Sequence, residues 1–300
     1  MREAEAQHLP AGLYSILAGL WLAWGFNWAA IKIAVSQVPP WTFRTLCLGL
    51  GSAVLFAVLR GSGQSLVVPR SQWRRLAVLA FFNITCWNLL VAYGVNMIPA
   101  GRGAILAYMM PAWAIPLSIW LLGERFTPRK LVGLALGLGG LVLLLADAFS
   151  DLGRAPLGSF LVLAASVSWA LGTVLQKRYP VSMAPGPYTA WLMFLGGVPI
   201  FFGMLAFDDL AALRQVEAGP WIGVAYNVFI AFAFAHWAWI KIATSVPVTV
   251  FSLSMLVIPV VGVLSGMLVL GERPSWQEYA ALALVLGSLL TVVVPVRQAR

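Results

Sequence analysis

Charge is what this 300-residue chain has least of: only 10% of its residues are Asp, Glu, Lys or Arg, against roughly 25% in soluble globular proteins. Nineteen basic and ten acidic residues cannot cover the surface of a water-soluble domain of this length, while 61% of the chain is hydrophobic and its mean hydropathy is +0.89. Cysteine is nearly absent. Cys47 and Cys86 both lie inside apolar runs, without CxxC pairing or metal-ligand spacing, and read as buried free thiols with no metal site. HExxH, GxGxxG and Walker patterns are missing, and no carboxylate lies in the middle of an apolar run, so the usual intramembrane hydrolase and ATP-driven chemistries lack their residues. The net charge of +9 does not gather into one basic patch, which excludes a nucleic-acid surface.

What is there is a succession of apolar runs, each near the roughly 20 residues that cross a bilayer. They predict ten spans at 12–35, 41–59, 74–95, 101–121, 130–147, 157–176, 187–206, 221–241, 248–269 and 276–295. The fold class expected is all-α, a polytopic membrane protein in contact with lipid. Pro39-Pro40, Pro99-Ala100-Gly101, Pro185-Gly186-Pro187 and Pro247 punctuate tight hairpins. The apolar run behind the polar first ten residues is long, so it reads as a retained span rather than a cleaved signal peptide. With the N-terminus inside, 13 basic residues fall on the cytoplasmic side and six on the other, which also carries seven of the ten acids. Both termini are therefore expected to be cytoplasmic.

The two halves echo each other. Pro111 precedes Gly123-Glu124-Arg125 by twelve residues, and Pro259 precedes Gly271-Glu272-Arg273 by twelve, an offset of 148 at which Pro99 also falls on Pro247 and Asn88 on His236. Pro40-Trp41-Thr42 matches Pro187-Tyr188-Thr189, and Trp24 and Lys32 match Trp169 and Lys177 at offset 145. The boundary falls between 1–150 and 151–300, five spans each. An odd number of spans inverts the second copy, and inverted repeats serve alternating access around a central cavity at their interface; a duplication that only built a bundle is the other reading.

Five plus five spans, the Trp24-Gly25-Phe26-Asn27 stretch, and a span-four proline leading to Leu122-Gly123-Glu124-Arg125 with its echo Leu270-Gly271-Glu272-Arg273 resemble the EamA-type members of the drug/metabolite transporter superfamily. Within it the chain is most similar to bacterial aromatic amino-acid exporters. That resemblance implies an inner-membrane secondary transporter without a cofactor, releasing Trp, Phe and Tyr, with Thr and Met as further candidates. A broad drug or small-metabolite exporter is the alternative. The small multidrug members use a Glu within their first helix, which this sequence lacks.

Candidate substrate-binding residues follow from polarity inside the spans. Trp21, Trp24 and Trp28 share one face of span one with Asn27 beside them, and Ser166, Trp169, Thr173 and Gln176 repeat the spacing in span six. Helix packing is the competing reading for the tryptophans, and an interhelical hydrogen bond for Asn27. Spans three and eight supply Asn83, Asn88, Tyr93, Asn227 and His236, of which Asn88 and His236 are expected to face a common interior. Proton coupling through His236 is one reading, a neutral hydrogen-bonding His the other. Tyr108 and Ser252 complete the expected lining, and Pro111 and Pro259 are candidate hinges. Glu124 and Glu272 read as hairpin anchors pairing with a nearby Arg, and Lys32 and Lys241 as snorkelling side chains. Arg44, in the outer part of span two, is the remaining candidate for an anion. A channel is disfavoured by the many aromatics. The small-molecule substrate and lipid are the only partners expected, and each monomer should hold a complete site.

Overall fold

The computed structural model describes residues 11–125, 127–150, 155–243, 245 and 255–293, and among them there are helices and no strands. The helices are α1 (Ala11–Val35), α2 (Pro40–Gly61), α3 (Trp73–Ala80), α4 (Trp87–Met97), α5 (Ala100–Ala107), α6 (Met110–Leu122), α7 (Pro128–Ser150), α8 (Ala155–Arg178), α9 (Pro185–Phe207), α10 (Ala218–Ala225), α11 (Ala235–Ala243), α12 (Val257–Leu270) and α13 (Trp276–Val293). Two wider π-helical segments, Phe81–Cys86 and Tyr226–Phe234, join α3 to α4 and α10 to α11 without a break. Among the described residues, seven stretches are long and apolar enough to cross a membrane: Gly12–Val35, Pro40–Gly61, Arg70–Met97, Ala100–Leu122, Pro156–Arg178, Pro185–Phe207 and Ala218–Ile242. The predicted fifth and tenth spans fall on α7 and α13, and α12 takes the later part of the ninth. Pro247 and Ser252 lie outside the described residues.

Large apolar side chains stay on the outside, as in Trp120, Phe207 and Leu268, which is where lipid replaces water as the solvent. Helix pairs are held instead by close packing of small residues. A Cβ on Gly94 of α4 would lie 2.5 Å from Val162 and 2.9 Å from the Gly158 carbonyl of α8. The α6 and α12 helices end in the same way. Gly123 and Gly271 both adopt φ +67°, and the following Glu124 and Glu272 N–H groups reach back six residues to Ser118 and Gly266 carbonyls. That closure needs glycine, since a Cβ disfavours the left-handed region.

Pro111 was expected inside a continuous span, but the helix is interrupted just before it. Tyr108 and Met109 form a turn, and Pro111 sits at the start of α6, because its ring nitrogen has no hydrogen to offer the preceding turn. Residues 255–256 form the corresponding turn before α12, placing Pro259 in its first turn.

Candidate functional site

The two π-helical segments occupy matching places in the two halves, since 81–86 shifted by 148 falls within 226–234. A π turn adds a residue and displaces backbone carbonyls from regular pairing, which is why such turns concentrate at functional sites. Here each segment meets a tryptophan. On α1, Trp24 donates from Nε1 to the Ala231 carbonyl at 3.1 Å. Facing α8, Asn83 donates from Nδ2 to the Trp169 carbonyl, also at 3.1 Å. Trp24 is the counterpart of Trp169 at offset 145, and Asn83 of Ala231 at 148, so the same pair of positions is bridged twice, each time between the halves, with the donor on the tryptophan in one and on the asparagine in the other.

Aromatic rings close both brackets. Trp24 stands edge-on to His236 with centroids 5.5 Å apart, and His236 stacks on Phe232 at 5.3 Å. Trp87 and Trp169 lie 5.0 Å apart at the other bracket. His236 Nδ1 is 3.1 Å from the Ala231 carbonyl, a contact that fixes the ring. Tyr226 donates to the Ala23 carbonyl at 3.0 Å and Ser168 to that of Phe82 at 2.8 Å, adding a second cross-helix bond beside each tryptophan. Asn27, half-buried on α1, has an Oδ1 that is shielded from solvent and accepts no hydrogen bond, a cost in a low-dielectric interior unless a ligand supplies the donor. Alongside the first bracket, Gly19, Leu22, Phe26, Ile230 and Phe234 line an open apolar groove of about 460 Å³.

The other expected residues are less gathered. Asn88 is buried, but its amide donates to the Ile84 carbonyl of its own helix at 2.9 Å; its backbone carbonyl instead accepts from Arg44 Nε at 3.2 Å. No contact joins Asn88 to His236. Thr173 is exposed and returns its hydroxyl to the Trp169 carbonyl at 2.9 Å. Tyr93 lies apart, beside Trp41 and Asp208, where the Asp208 carboxylate accepts from the Thr42 N–H and hydroxyl at 2.7 Å each. Tyr108 sits at the helix interruption and packs against the main core. Sequence reasoning missed Trp87 and Phe232, although they flank Asn88 and His236 by one and four residues.

At both ends of the bundle charged side chains hold helix termini. The expected Glu–Arg pairing within the triplets is replaced by longer reaches. Glu272 accepts from the Ala100 and Gly101 N–H groups at 2.6 and 3.0 Å, capping α5 from across the molecule, where the helix dipole favours a carboxylate. Lys32 does not snorkel: it donates to the Val95 and Ile98 carbonyls at the end of α4. Beside them Arg102 pairs with buried Glu278 at 2.9 Å. On the opposite face Glu124 accepts from Lys130 at 2.8 Å and from Lys177, the counterpart of Lys32, at 2.6 Å. Those two hydrogen bonds hold its carboxyl well below the ordinary range, at about 2.

The profile of the EamA-like transporter family matches residues 11–146 and again 156–294. The chain belongs to the EamA-like transporter family. It is similar to transporter YoaV of Bacillus subtilis (strain 168), 23% identical over 270 residues and 90% of each chain. It is 27% identical to inner membrane transporter YedA of Escherichia coli (strain K12), over 95% of this chain and 91% of that one. A probable amino-acid metabolite efflux pump of the same strain is 25% identical, over 89% and 90%. A crystal structure of another protein, 22% identical, superposes with a TM-score of 0.65 over 95% of this chain and 97% of that one, which shows the same fold. This EamA-like chain is thus a membrane transporter, and its brackets are candidate substrate contacts.

Proposed function

We propose that the protein exports aromatic and other hydrophobic amino acids across the bacterial inner membrane by alternating access. In this reading residues 1–150 and 151–300 are five-helix repeats of inverted topology, both termini are cytoplasmic, and one monomer holds a complete site. The observation that carries it is the paired bracket: the Trp24 indole donating to the Ala231 carbonyl and the Asn83 amide donating to the Trp169 carbonyl, hydrogen bonds between corresponding positions at two π-helical segments. Each lines the approach between halves with aromatic faces, which bind an apolar or aromatic side chain. Asn27, Asn88 and His236, with Tyr108, Thr173, Tyr93 and Ser252 around them, are the groups proposed to meet the amino and carboxylate ends. Pro111 and Pro259, at interrupted helices, are the proposed hinges. The E. coli relative called a probable amino-acid metabolite efflux pump agrees with the substrate class.

The test is counterflow of labelled tryptophan in proteoliposomes, with unlabelled Phe, Thr, Lys and a cationic dye as competitors. Saturable counterflow inhibited by Phe and not by the dye, and reduced about tenfold or more in Trp24→Ala or His236→Ala, is the expected result. Movement of the dye alone would replace this reading with a multidrug exporter.

A further inference from the structure

Arg44 is the most buried charge in the described part of the molecule, 2% exposed, and it has no acidic partner. Among the described residues no carboxylate lies within ion-pair distance of it. Of its five N–H donors, Nε–H goes to the Asn88 carbonyl at 3.2 Å, and the Cys47 side chain lies beside the group. The guanidinium carbon sits 4.6 Å from the centroid of the Phe43 ring. These contacts orient the group without neutralising it.

Its depth is equally unusual. The Cα of Arg44 is four residues into α2, about 6 Å from the helix start, whereas Asn88 lies nine residues before the end of α4, about 13 Å in from the same face. The side chain therefore points inward, toward the middle of the membrane, where a free arginine would extend to the interface. Ionisable groups held at that depth mark substrate or ion pathways, and each calls for a counter-charge. One turn further along the same face of α2 comes Cys47, and two turns along comes Gly51. A Cβ on Gly51 would touch Phe232 at 2.8 Å, the ring that stacks on His236. The seven residues from Arg44 to Gly51 rise about 10 Å, and the guanidinium turns inward along that rise, so the guanidinium and the first aromatic bracket lie along one face of α2 and closer together than their Cα positions. That spacing, shorter than the rise of about 10 Å, is on the scale of an arylalanine from its carboxylate to its ring.

We propose that Arg44 anchors the carboxylate of the transported molecule, with Asn88 and Cys47 as its positioning partners and the Trp24–Phe232–His236 bracket taking the ring. A planar guanidinium offers parallel N–H groups that match a carboxylate in two bonds. The inference builds on the amino-acid reading for the identity of the substrate, but the anchor requires only a carboxylate.

Binding of tryptophan, indole-3-propionate (carboxylate without amine) and tryptamine (amine without carboxylate) to the purified protein, measured with wild type, Arg44→Gln and Arg44→Lys, tests it. Wild type is expected to bind tryptophan and indole-3-propionate and to bind tryptamine about tenfold or more weakly. Arg44→Gln should lose about tenfold to a hundredfold for both carboxylates and leave tryptamine unchanged, with Arg44→Lys between. The wild-type comparison does not depend on how the variants fold: tryptamine bound as tightly as indole-3-propionate overturns the proposal. So does an Arg44→Gln protein that binds all three ligands like wild type, or one that weakens all three equally. If wild type binds indole-3-propionate and not tryptophan, the amino-acid reading fails while the carboxylate anchor stands.

Discussion

Glu272 commits both carboxylate oxygens to the first N–H groups of α5, at 2.6 and 3.0 Å, so a single side chain ties the end of α12 to the start of α5. Glu272→Gln keeps the shape and removes the charge. It should lower stability by about 1–2 kcal/mol, read as a fall in the unfolding midpoint in detergent; an unchanged midpoint would contradict the cap. Glu124 behaves differently because it is half-exposed and held by two lysines. Its folded carboxyl lies near 2 instead of the ordinary 4.5, so its contribution is complete above pH 4.5 and disappears as pH falls toward 2. Its size should be about 1 kcal/mol or less, as for other exposed pairs. The stability difference between wild type and Glu124→Gln should therefore shrink between pH 6 and pH 3, and a constant difference would contradict the pairing. Neither partnership was readable from sequence. The donors to Glu272 lie 171 and 172 residues away, and the local Arg273 was the nearer candidate. Arg44 was read as an outer-end residue because its position in α2 does not reveal that its side chain turns inward.

Helices pack here through the absence of side chains at their crossings, so small insertions should be felt strongly. Gly94 meets Val162 and the Gly158 backbone of α8, and backbone cannot rotate away. Gly94→Ala should cost about 1–3 kcal/mol and Gly94→Val more, separating α4 from α8; thermal unfolding of the purified variants measures it, and a neutral Gly94→Val would mean that the crossing is loose. The interruption at Tyr108–Met109 gives a kinetic expectation. Pro111→Ala restores an N–H to the helix start, favouring continuity across the turn. Counterflow should slow severalfold while the unfolding midpoint stays level or rises, and unaltered transport would remove Pro111 as a hinge. Seven of the spans were legible among the described residues because apolar length alone specifies them, and Pro39-Pro40, Pro99-Ala100-Gly101 and Pro185-Gly186-Pro187 marked breaks between helices. The π-helical segments were not. Their residues fit an α-helix equally well, and the partners they bond, on α1 and α8, lie far away in the sequence.

For the molecule as a whole, the correspondence of the two halves is the feature on which the proposed mechanism rests. Equivalent tryptophans meet equivalent π-helical segments, equivalent glycines end α6 and α12, and Lys32 and Lys177 sit at opposite faces beside Glu272 and Glu124. In the proposed mechanism the two halves are inserted oppositely and exchange conformations, opening one face as the other closes. Electron–electron distance measurements on spin labels in lipid nanodiscs address this most directly. One pair is placed at exposed Ser36 and Arg273, the other at exposed Ser182 and Arg125 on the opposite face, with Cys47 and Cys86 replaced by Ala. The account expects two distance populations at each pair, with tryptophan shifting them in opposite senses at the two faces. Single, unchanging distances at both faces with and without tryptophan, in protein that still performs counterflow, would contradict it.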